Sequence, residues 1–299
     1  MTRNIMEPTP SAPPNDAVSL RTMHAGDIPF ANELRQLAGW NQTEHDWRGY
    51  LRYDPDGCFV AEVGGKPAGT ATTIHYGDRF GWIGMVLVHP EYRRLGIGTR
   101  LLNRAISRLQ QCGVKGIKLD ATPMGKKVYV PLGFIDEYEL SRYEGTPAAD
   151  DLPEEAGVVP FSNADFTAIA QLDATAFGAE RRAVLQSLSQ RNPDLCFAAH
   201  DVAGVSGFII AREGAGAVQV GPWVARDPEV AERLLRTLFR RLPGRRVFVD
   251  VIEPNAPANS LIRQRGFTVQ RTLTRMYLGR NDHPGEPSLI FGISSPEKG

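Results

Sequence analysis

Several kinds of feature are scarce or missing in this sequence of 299 residues. Its three cysteines, Cys58, Cys112 and Cys196, lie far apart and form no Cys-x-x-Cys pair. The sequence therefore indicates neither a disulfide framework nor a zinc site, and no metal is expected. No apolar run reaches the roughly 18 residues of a membrane-spanning helix. The N-terminal residues also lack the apolar core of a signal peptide, so a cytoplasmic protein with no membrane partner is expected.

An excess of charge of one sign is missing as well. The sequence has 34 Lys and Arg residues against 34 Asp and Glu residues, so its formal net charge is zero. Proteins that bind nucleic acids usually carry a basic surface that neutralises phosphates. The charge balance therefore predicts no nucleic-acid partner, although a local basic pocket around Arg93 and Arg94 remains compatible with it.

Two stretches without apolar periodicity divide the sequence. Residues 1–17 are rich in Pro, Ser and Asn and predict a disordered tail. Residues 145–156 belong to an acidic, proline-containing stretch that predicts an exposed linker. The segments that remain, 18–144 and 157–299, each have the length of one domain.

The two segments predict the same order of elements. Hydrophobic periodicity and turn residues in the first segment predict the order β-α-α-β-β-β-α-β-α-β, which the second segment repeats. Arg142 and Arg275 follow a Gly-Phe pair at the same spacing, and strands ending in Asp120 and Asp250 also correspond. An internal duplication is predicted, with an α/β fold around a mixed sheet. Two unrelated α/β domains are the weaker alternative.

The stretch VHPEYRRLGIGTRLL, from Val88 to Leu102, carries two glycines just before a predicted amphipathic helix. A dinucleotide-binding loop is disfavoured, because Leu101 stands where its third glycine belongs. No Gly-Lys-Ser/Thr follows, which excludes a Walker loop. The stretch instead fits Arg-x-x-Gly-x-Gly, in which glycines let backbone N–H groups approach an anion at the positive helix N-terminus. The pattern predicts a pyrophosphate site.

This stretch resembles the acetyl-CoA motif of the GCN5-related N-acetyltransferases. The similarity extends to VYVPLGF, where Tyr129 stands four residues before Gly133, and to AGWNQTEHDW. These runs are similar to a subgroup with two fused acetyltransferase-like domains. The resemblance implies acetyl-CoA as acyl donor and two tandem domains of this fold. It also implies the CoA-binding residues, namely Val86, Leu87, Val88, Arg93, Arg94, Leu95, Gly96, Ile97, Gly98, Thr99 and Arg100.

The resemblance further implies direct transfer of the acyl group from CoA to an amine. Two splayed parallel strands would hold the pantetheine, and a backbone N–H near Leu87 or Val88 would polarise the thioester carbonyl. Tyr129 is predicted to protonate the leaving thiolate. Trp40, Asn41 and Trp82 are predicted to contact the acceptor, with core packing and capping as alternatives for them.

The resemblance does not identify a general base. Many family members carry a glutamate on the fourth strand, but the sequence has no acidic residue between Asp78 and Glu91. Asp120 is predicted as a catalytic residue, although it could simply hold a strand end by hydrogen bonds. His75, Asp250 and catalysis by positioning with water remain open alternatives.

The second segment lacks the CoA motif. Glu232 falls at the position of Gly96, and Ile262 falls at the position of Tyr129. A carboxylate would repel pyrophosphate, so this segment is predicted to be a non-catalytic repeat and one CoA is expected per chain.

The predicted function is N-acetylation of a small-molecule amine by a monomer or homodimer. One alternative is a regulatory or scaffold protein that binds acyl-CoA without turnover. Another is a protein or peptide N-acetyltransferase, which would need an open groove for its substrate.

Overall fold

The computed structural model describes residues 18–148 and 155–299. The predicted tail, residues 1–17, lies outside the described residues, and so do residues 149–154 of the predicted linker.

The first half folds into the predicted order of strands and helices. An N-terminal capping box of Thr43 and Asp46 starts its second helix, and Gly133, with φ of 92°, ends the turn after its fourth helix. The elements are β1 (Val18–Thr22), α1 (Ile28–Leu37), α2 (Glu44–Tyr53), β2 (Cys58–Val63), β3 (Lys66–Tyr76), β4 (Phe80–Val88), α3 (Ile97–Gln111), β5 (Gly116–Ala121), α4 (Pro123–Tyr129) and β6 (Ile135–Gly145).

The second half repeats this order and then continues with a short strand and a C-terminal segment, residues 293–299. Its elements are β7 (Val158–Pro160), α5 (Phe166–Phe177), α6 (Arg182–Ser189), β8 (Cys196–Asp201), β9 (Gly204–Glu213), β10 (Val218–Ala225), α7 (Pro228–Phe239), β11 (Val247–Ile252), α8 (Ala256–Gln264), β12 (Thr268–Gly279) and β13 (Ile290–Gly292).

All of these strands belong to one sheet, in which the halves exchange their last long strands. The order is β1-β2-β3-β4-β5-β12-β6-β11-β10-β9-β8-β7, with β13 paired to β10. Thus β12 of the second half pairs with β5 of the first, and β6 of the first half pairs with β11 of the second. The alternation of polar and apolar residues fixes which face of a strand is buried but not which strand lies beside it.

The two faces of the sheet carry different cores. One core is shared by both halves, because Trp47 of α2 and Leu185 of α6 belong to the same cluster. In this cluster the Tyr76 and Phe177 rings meet edge to face at 4.9 Å. The opposite face holds separate cores, one under α3 around Leu101 and one under α7 around Leu234. The shared face is the one on which residues of both halves could contact the same ligand.

Candidate active site

Strands β4 and β5 begin side by side and then separate. Their parallel pairing joins Gly81 to Ile117 and Trp82 to Lys118, and it goes no further. Met85, with φ of 50°, forms a bulge in β4, and the hydroxyl of Thr70 donates to its carbonyl at 2.9 Å. A bulge re-aims the strand that contains it. The half-buried residues Val86, Leu87 and Val88 therefore follow the point where the two strands diverge.

The N-terminus of α3 is open to an anion. Gly96 precedes the helix with φ of 72°, and no side chain in the described part of the chain caps the first turn. A Cβ built on Gly96 would meet no atom within 4 Å, and one on Gly98 would meet only Val88 at 3.9 Å. The first N–H groups of a helix lack partners within it. This turn therefore presents free donors at the positive end of the helix dipole.

Side chains around this turn supply positive charge and close its inner side. Arg93 and Arg94 are exposed, and Arg94 adopts a positive φ of 67°. Leu95, Thr99 and Arg100 are half-buried, while Ile97 is buried under the helix. The structure thus brings the predicted loop residues together around one turn.

The corresponding helix of the second half has its N-terminus already occupied. The carboxylate of Asp227 accepts from the backbone N–H of Val230 at 2.8 Å, just before α7 begins at Pro228. Glu232 lies one turn further on and pairs with Arg265 at 2.7 Å. Asp227 places a negative charge where a phosphate would need to bind.

Tyr129 stands at the end of α4, half-buried, and packs on the same core cluster as Val86 and Val88. Its neighbour Gly125 makes room for the ring, because a Cβ there would lie 3.0 Å from it. The phenol forms no hydrogen bond within residues 18–148 and 155–299. Burial raises the pKa of Tyr129 to about 12. The residue is therefore protonated at neutral pH, with its donor unused.

The side chain of Asp120 is fully buried and binds a residue of the other half. The guanidinium of Arg275 donates to its two oxygens at 2.8 and 3.0 Å. Arg275 also donates to the hydroxyl of Tyr138 at 2.7 Å and lies 4.7 Å over the ring of Trp82. Burial would lower the pKa of Arg275, but Asp120 raises it above its usual value. These contacts agree with the alternative in which Asp120 holds the strand end.

A matching ion pair has its arginine in the first half and its carboxylate in the second half. Arg142 of β6 donates to both oxygens of Asp250 on β11 at 2.8 and 2.7 Å. Gln219 donates to the same carboxylate at 2.9 Å. The equal spacings of the two arginines in the sequence thus correspond to two reciprocal ion pairs, each of which joins one half to the other.

The residues predicted to contact the acceptor occupy different environments. Trp82 is 1% exposed, and its indole N–H donates to the carbonyl of Pro296 at 3.0 Å. Asn41 is buried and binds the β9–β10 hairpin through backbone groups of Gly216 and Ala217. Trp40 is half-buried against the shared core. The contacts of Trp82 and Asn41 are thus packing and capping contacts, and Trp40 retains an accessible surface.

The C-terminal segment, residues 293–299, packs over β4 and was not predicted from the sequence. Its residue Glu297 lies against Gly84, where an added Cβ would come within 2.8 Å of the Glu297 Cβ and carbonyl oxygen. Gln42 donates to this carboxylate at 2.7 Å, and Lys298 donates to it at 2.6 Å. Burial would raise the pKa of Glu297, but Lys298 and other donors hold it at about 2. The segment follows the repeated part of the chain, so the repeat gave no signal for it.

The C-terminal segment is held from both halves. Lys298 is 1% exposed and donates to Asp46 at 3.1 Å and to the hydroxyl of Tyr50 at 3.0 Å, both on α2. Arg212 of β9 donates to the carbonyl of Ser294 at 2.9 Å. Buried charges of this kind are tolerated only when they are paired, so the network fixes the segment over β4.

Comparison with known families assigns both halves of the chain. Residues 28–134 match the "Acetyltransferase (GNAT) family", and residues 169–292 match an "Acetyltransferase (GNAT) domain". The chain belongs to the GNAT acetyltransferase family. This GNAT protein is a tandem acyltransferase, and the family generally uses acetyl-CoA as its acyl donor.

Some individual proteins resemble nearly the whole chain, and others resemble only part of it. The holothin acyltransferase of Pseudoalteromonas is 24% identical over 272 residues, which are 90% of each chain. The N-alpha-acetyltransferase 30 of Xenopus laevis is 32% identical over 106 residues, which are 33% of this chain and 39% of that protein. A crystal structure from Pyrococcus horikoshii, provisionally described as an acetyltransferase, has a TM-score of 0.82 at 25% identity and covers 98% of this chain and 100% of its own.

The helices of residues 18–148 and 155–299 include none that is long and apolar enough to cross a membrane.

Proposed function

We propose that this GNAT protein transfers an acetyl group from acetyl-CoA to the amine of a small molecule. The observation that carries the proposal is the uncapped N-terminus of α3 beside the opening between β4 and β5. An anion-binding turn next to unpaired strand edges suits a ligand with a pyrophosphate at one end and an extended polar arm at the other. Asp227 blocks the matching turn of the second half, so one CoA binds per chain.

In the proposed reaction the nitrogen of a neutral amine attacks the thioester carbonyl carbon. Negative charge develops on the carbonyl oxygen, which a backbone N–H near Leu87 or Val88 stabilises. The carbon–sulfur bond then breaks, and the sulfur leaves with the bonding electrons. Tyr129 donates a hydrogen bond to that sulfur, which then takes a proton from water and becomes the CoA thiol. The product nitrogen loses its extra proton to water and becomes a neutral amide.

Water is the proposed proton acceptor because the carboxylates predicted for this role have other partners. Asp120 accepts from Arg275, and Asp250 accepts from Arg142 and Gln219. His75 is exposed on β3. The proposed catalytic contribution of the protein is therefore positioning, charge stabilisation at the carbonyl oxygen and the Tyr129 hydrogen bond.

The C-terminal segment and the second half favour a small acceptor, because both restrict access to β4. The C-terminal segment stands over Gly84, and Asn41 binds the β9–β10 hairpin of the second half. Both contacts bring the second half across the face from which an acceptor would approach β4. An extended peptide needs an open groove there, so its acetylation is the second candidate, favoured by the partial likeness to an N-alpha-acetyltransferase.

The decisive experiment measures CoA release from acetyl-CoA with a panel of small amines and a panel of peptides, followed by mass spectrometry of the products. The proposed function predicts a mass gain of one acetyl group on a small amine. Tight CoA binding without release in either panel would favour the acyl-CoA-binding scaffold, and acetylated peptides alone would favour the second candidate.

Replacing Gly98 by Asp should weaken CoA binding by about tenfold or more, because the new carboxylate would face the pyrophosphate. The backbone of Gly98 suits any residue, and the space beside it is open. A carboxylate in the first turn favours the helix dipole, so the Tm of the free protein should not fall. Titration calorimetry with CoA measures the effect.

The matched control is Gly98→Asn, which adds nearly the same atoms without the charge. The difference between the two variants should shrink as salt is added, because exposed charges are screened. Equal CoA affinities for the Asp and Asn variants at low salt would show that this turn does not hold the pyrophosphate.

A further inference from the structure

Arg271 is a half-buried arginine of β12 with no polar partner among the described residues. Its guanidinium forms neither a hydrogen bond nor an ion pair with the residues that the structure describes, and its Nε is fully buried. Burial, reinforced by nearby Arg142, lowers the pKa of Arg271 to about 10. A cation withdrawn from water without an opposite charge is costly, and such groups concentrate at binding sites.

The internal duplication shows what is unusual about this position. Tyr138 stands five residues after Gly133, and Arg271 stands five residues after Gly266. In the first copy the Tyr138 hydroxyl accepts a hydrogen bond from Arg275. A tyrosine can accept this bond, whereas an arginine has only donors. The second copy therefore places two cations side by side.

The nearby carboxylates are already engaged. The carboxylate of Asp250 accepts two hydrogen bonds from the guanidinium of Arg142 and one from the side-chain amide of Gln219. Glu297 accepts from Gln42, Ser295 and Lys298. Both acidic groups influence the pKa of Arg271 without bonding to it. Among the residues that the structure describes, no carboxylate forms a hydrogen bond or an ion pair with Arg271, so its positive charge stays unpaired.

Arg271 lies on the face of the sheet from which an acceptor would approach β4. Side chains alternate along a strand, so Arg271, Leu273 and Arg275 share one face of β12. Arg275 lies over Trp82 on β4, and Leu273 belongs to the core cluster that contains Trp82. Glu297 connects the two places, since it packs on Gly84 and also acts on Arg271.

We infer that Arg271 binds a carboxylate of the acceptor, so that the substrate of this GNAT protein is an amine that also carries an acidic group. The inference rests on the proposed function, because it names the acceptor class of the same cleft. A guanidinium with free donors matches a carboxylate in shape and charge. The acceptor amine would approach the acetyl group while its carboxylate stays on Arg271.

The first test compares amines in pairs, an amino acid against its carboxamide, with acetyl-CoA and the full chain. The wild type should prefer the carboxylate form by about 10–100-fold in kcat/KM, the range of a charged hydrogen bond. In Arg271→Gln this preference should disappear through a higher KM for the acid, with kcat and the amide kinetics unchanged. Equal use of both forms by the wild type would overturn the inference.

A second measurement needs no turnover, so it separates this inference from the proposed function. N-acetylated amino acids and their amides are titrated in a thermal-shift assay. The free acids should raise the Tm of the wild type more than the amides, and this difference should vanish in Arg271→Gln. No difference in the wild type would reject the carboxylate site, even if acetyl transfer were found.

The stability of the variants supplies the control. Arg271→Gln should leave the Tm unchanged or higher, because it removes a charge that lacks a partner. The matched variant Arg108→Gln removes a half-buried arginine that pairs with Asp54 at 2.7 Å. It should lower the Tm and keep the preference for the acid. A fall in the Tm of Arg271→Gln as large as that of Arg108→Gln would indicate a structural role instead.

Discussion

Replacing Tyr129 by Phe should lower kcat by about 100-fold or more and leave the affinity for CoA unchanged. The substitution removes one hydroxyl, whose hydrogen bond to the leaving sulfur exists only as the carbon–sulfur bond breaks. General acid groups contribute roughly 10²–10⁴-fold to such steps. Steady-state kinetics with an acceptor identified from the amine panel, together with CoA titration, measures both quantities.

The pKa of about 12 for Tyr129 shapes this expectation. An ordinary thiol has a pKa near 8.5, so full transfer of the phenol proton is uphill unless burial also raises the pKa of the CoA thiol. Burial acts in the same direction on both groups because it disfavours each anion. The hydrogen bond is therefore the main contribution, and it should persist as the pH rises to about 10.

The control for this variant is Tyr277→Phe on β12. Tyr277 is also half-buried, and within the described ranges its hydroxyl has no hydrogen-bond partner. Its loss should change neither kcat nor the Tm. If Tyr129→Phe retained more than about a third of the wild-type kcat, the Tyr129 hydroxyl would not stabilise the leaving sulfur.

Replacing Arg275 by Met should reduce the free energy of unfolding by about 3–5 kcal/mol, the usual cost of removing one partner from a buried ion pair. The carboxylate of Asp120, which is fully buried, would lose both of its hydrogen bonds from Arg275. Because the pair joins β12 to β5, both halves should unfold in one transition at lower denaturant. Urea unfolding followed by fluorescence measures the change.

An exposed pair offers the comparison for this variant. Arg226 lies 3.8 Å from Asp201 on the surface, so Arg226→Met should cost less than about 1 kcal/mol. Asp120→Asn combined with Arg275→Met should recover part of the loss, since the pair then contains no uncompensated charge. A cost for Arg275→Met no larger than that for Arg226→Met would show that the pair does not stabilise the junction.

Local features of the fold were predictable because their causes are local. Periodicity and turn residues predicted the order of elements in the first half, which includes the strands β2 (Cys58–Val63) and β4 (Phe80–Val88). The repeated order of elements was confirmed in the same way. The turn at Gly96 was also predictable, since its backbone conformation depends on residues adjacent in sequence.

Long-range features were not predictable from the same signals. The bond between Asp120 and Arg275 joins residues 155 positions apart, and nothing in either strand specifies the other as its neighbour. The same holds for Glu297, which packs on a strand of the first half. Arg271 differs from its counterpart Tyr138 by one substitution, and its lack of a partner follows only from the contacts around it.

The exchange of β6 and β12 has a consequence for biosynthesis. While the first half emerges from the ribosome, β5 can complete its pairing only after residues 268–279 have been made. Until then its edge is a template for other chains, as unpaired strand edges are. Such distant contacts also slow folding. The nascent chain therefore waits for almost its entire length before the centre of its sheet can close, and chaperones that shield strand edges should act on it during that interval.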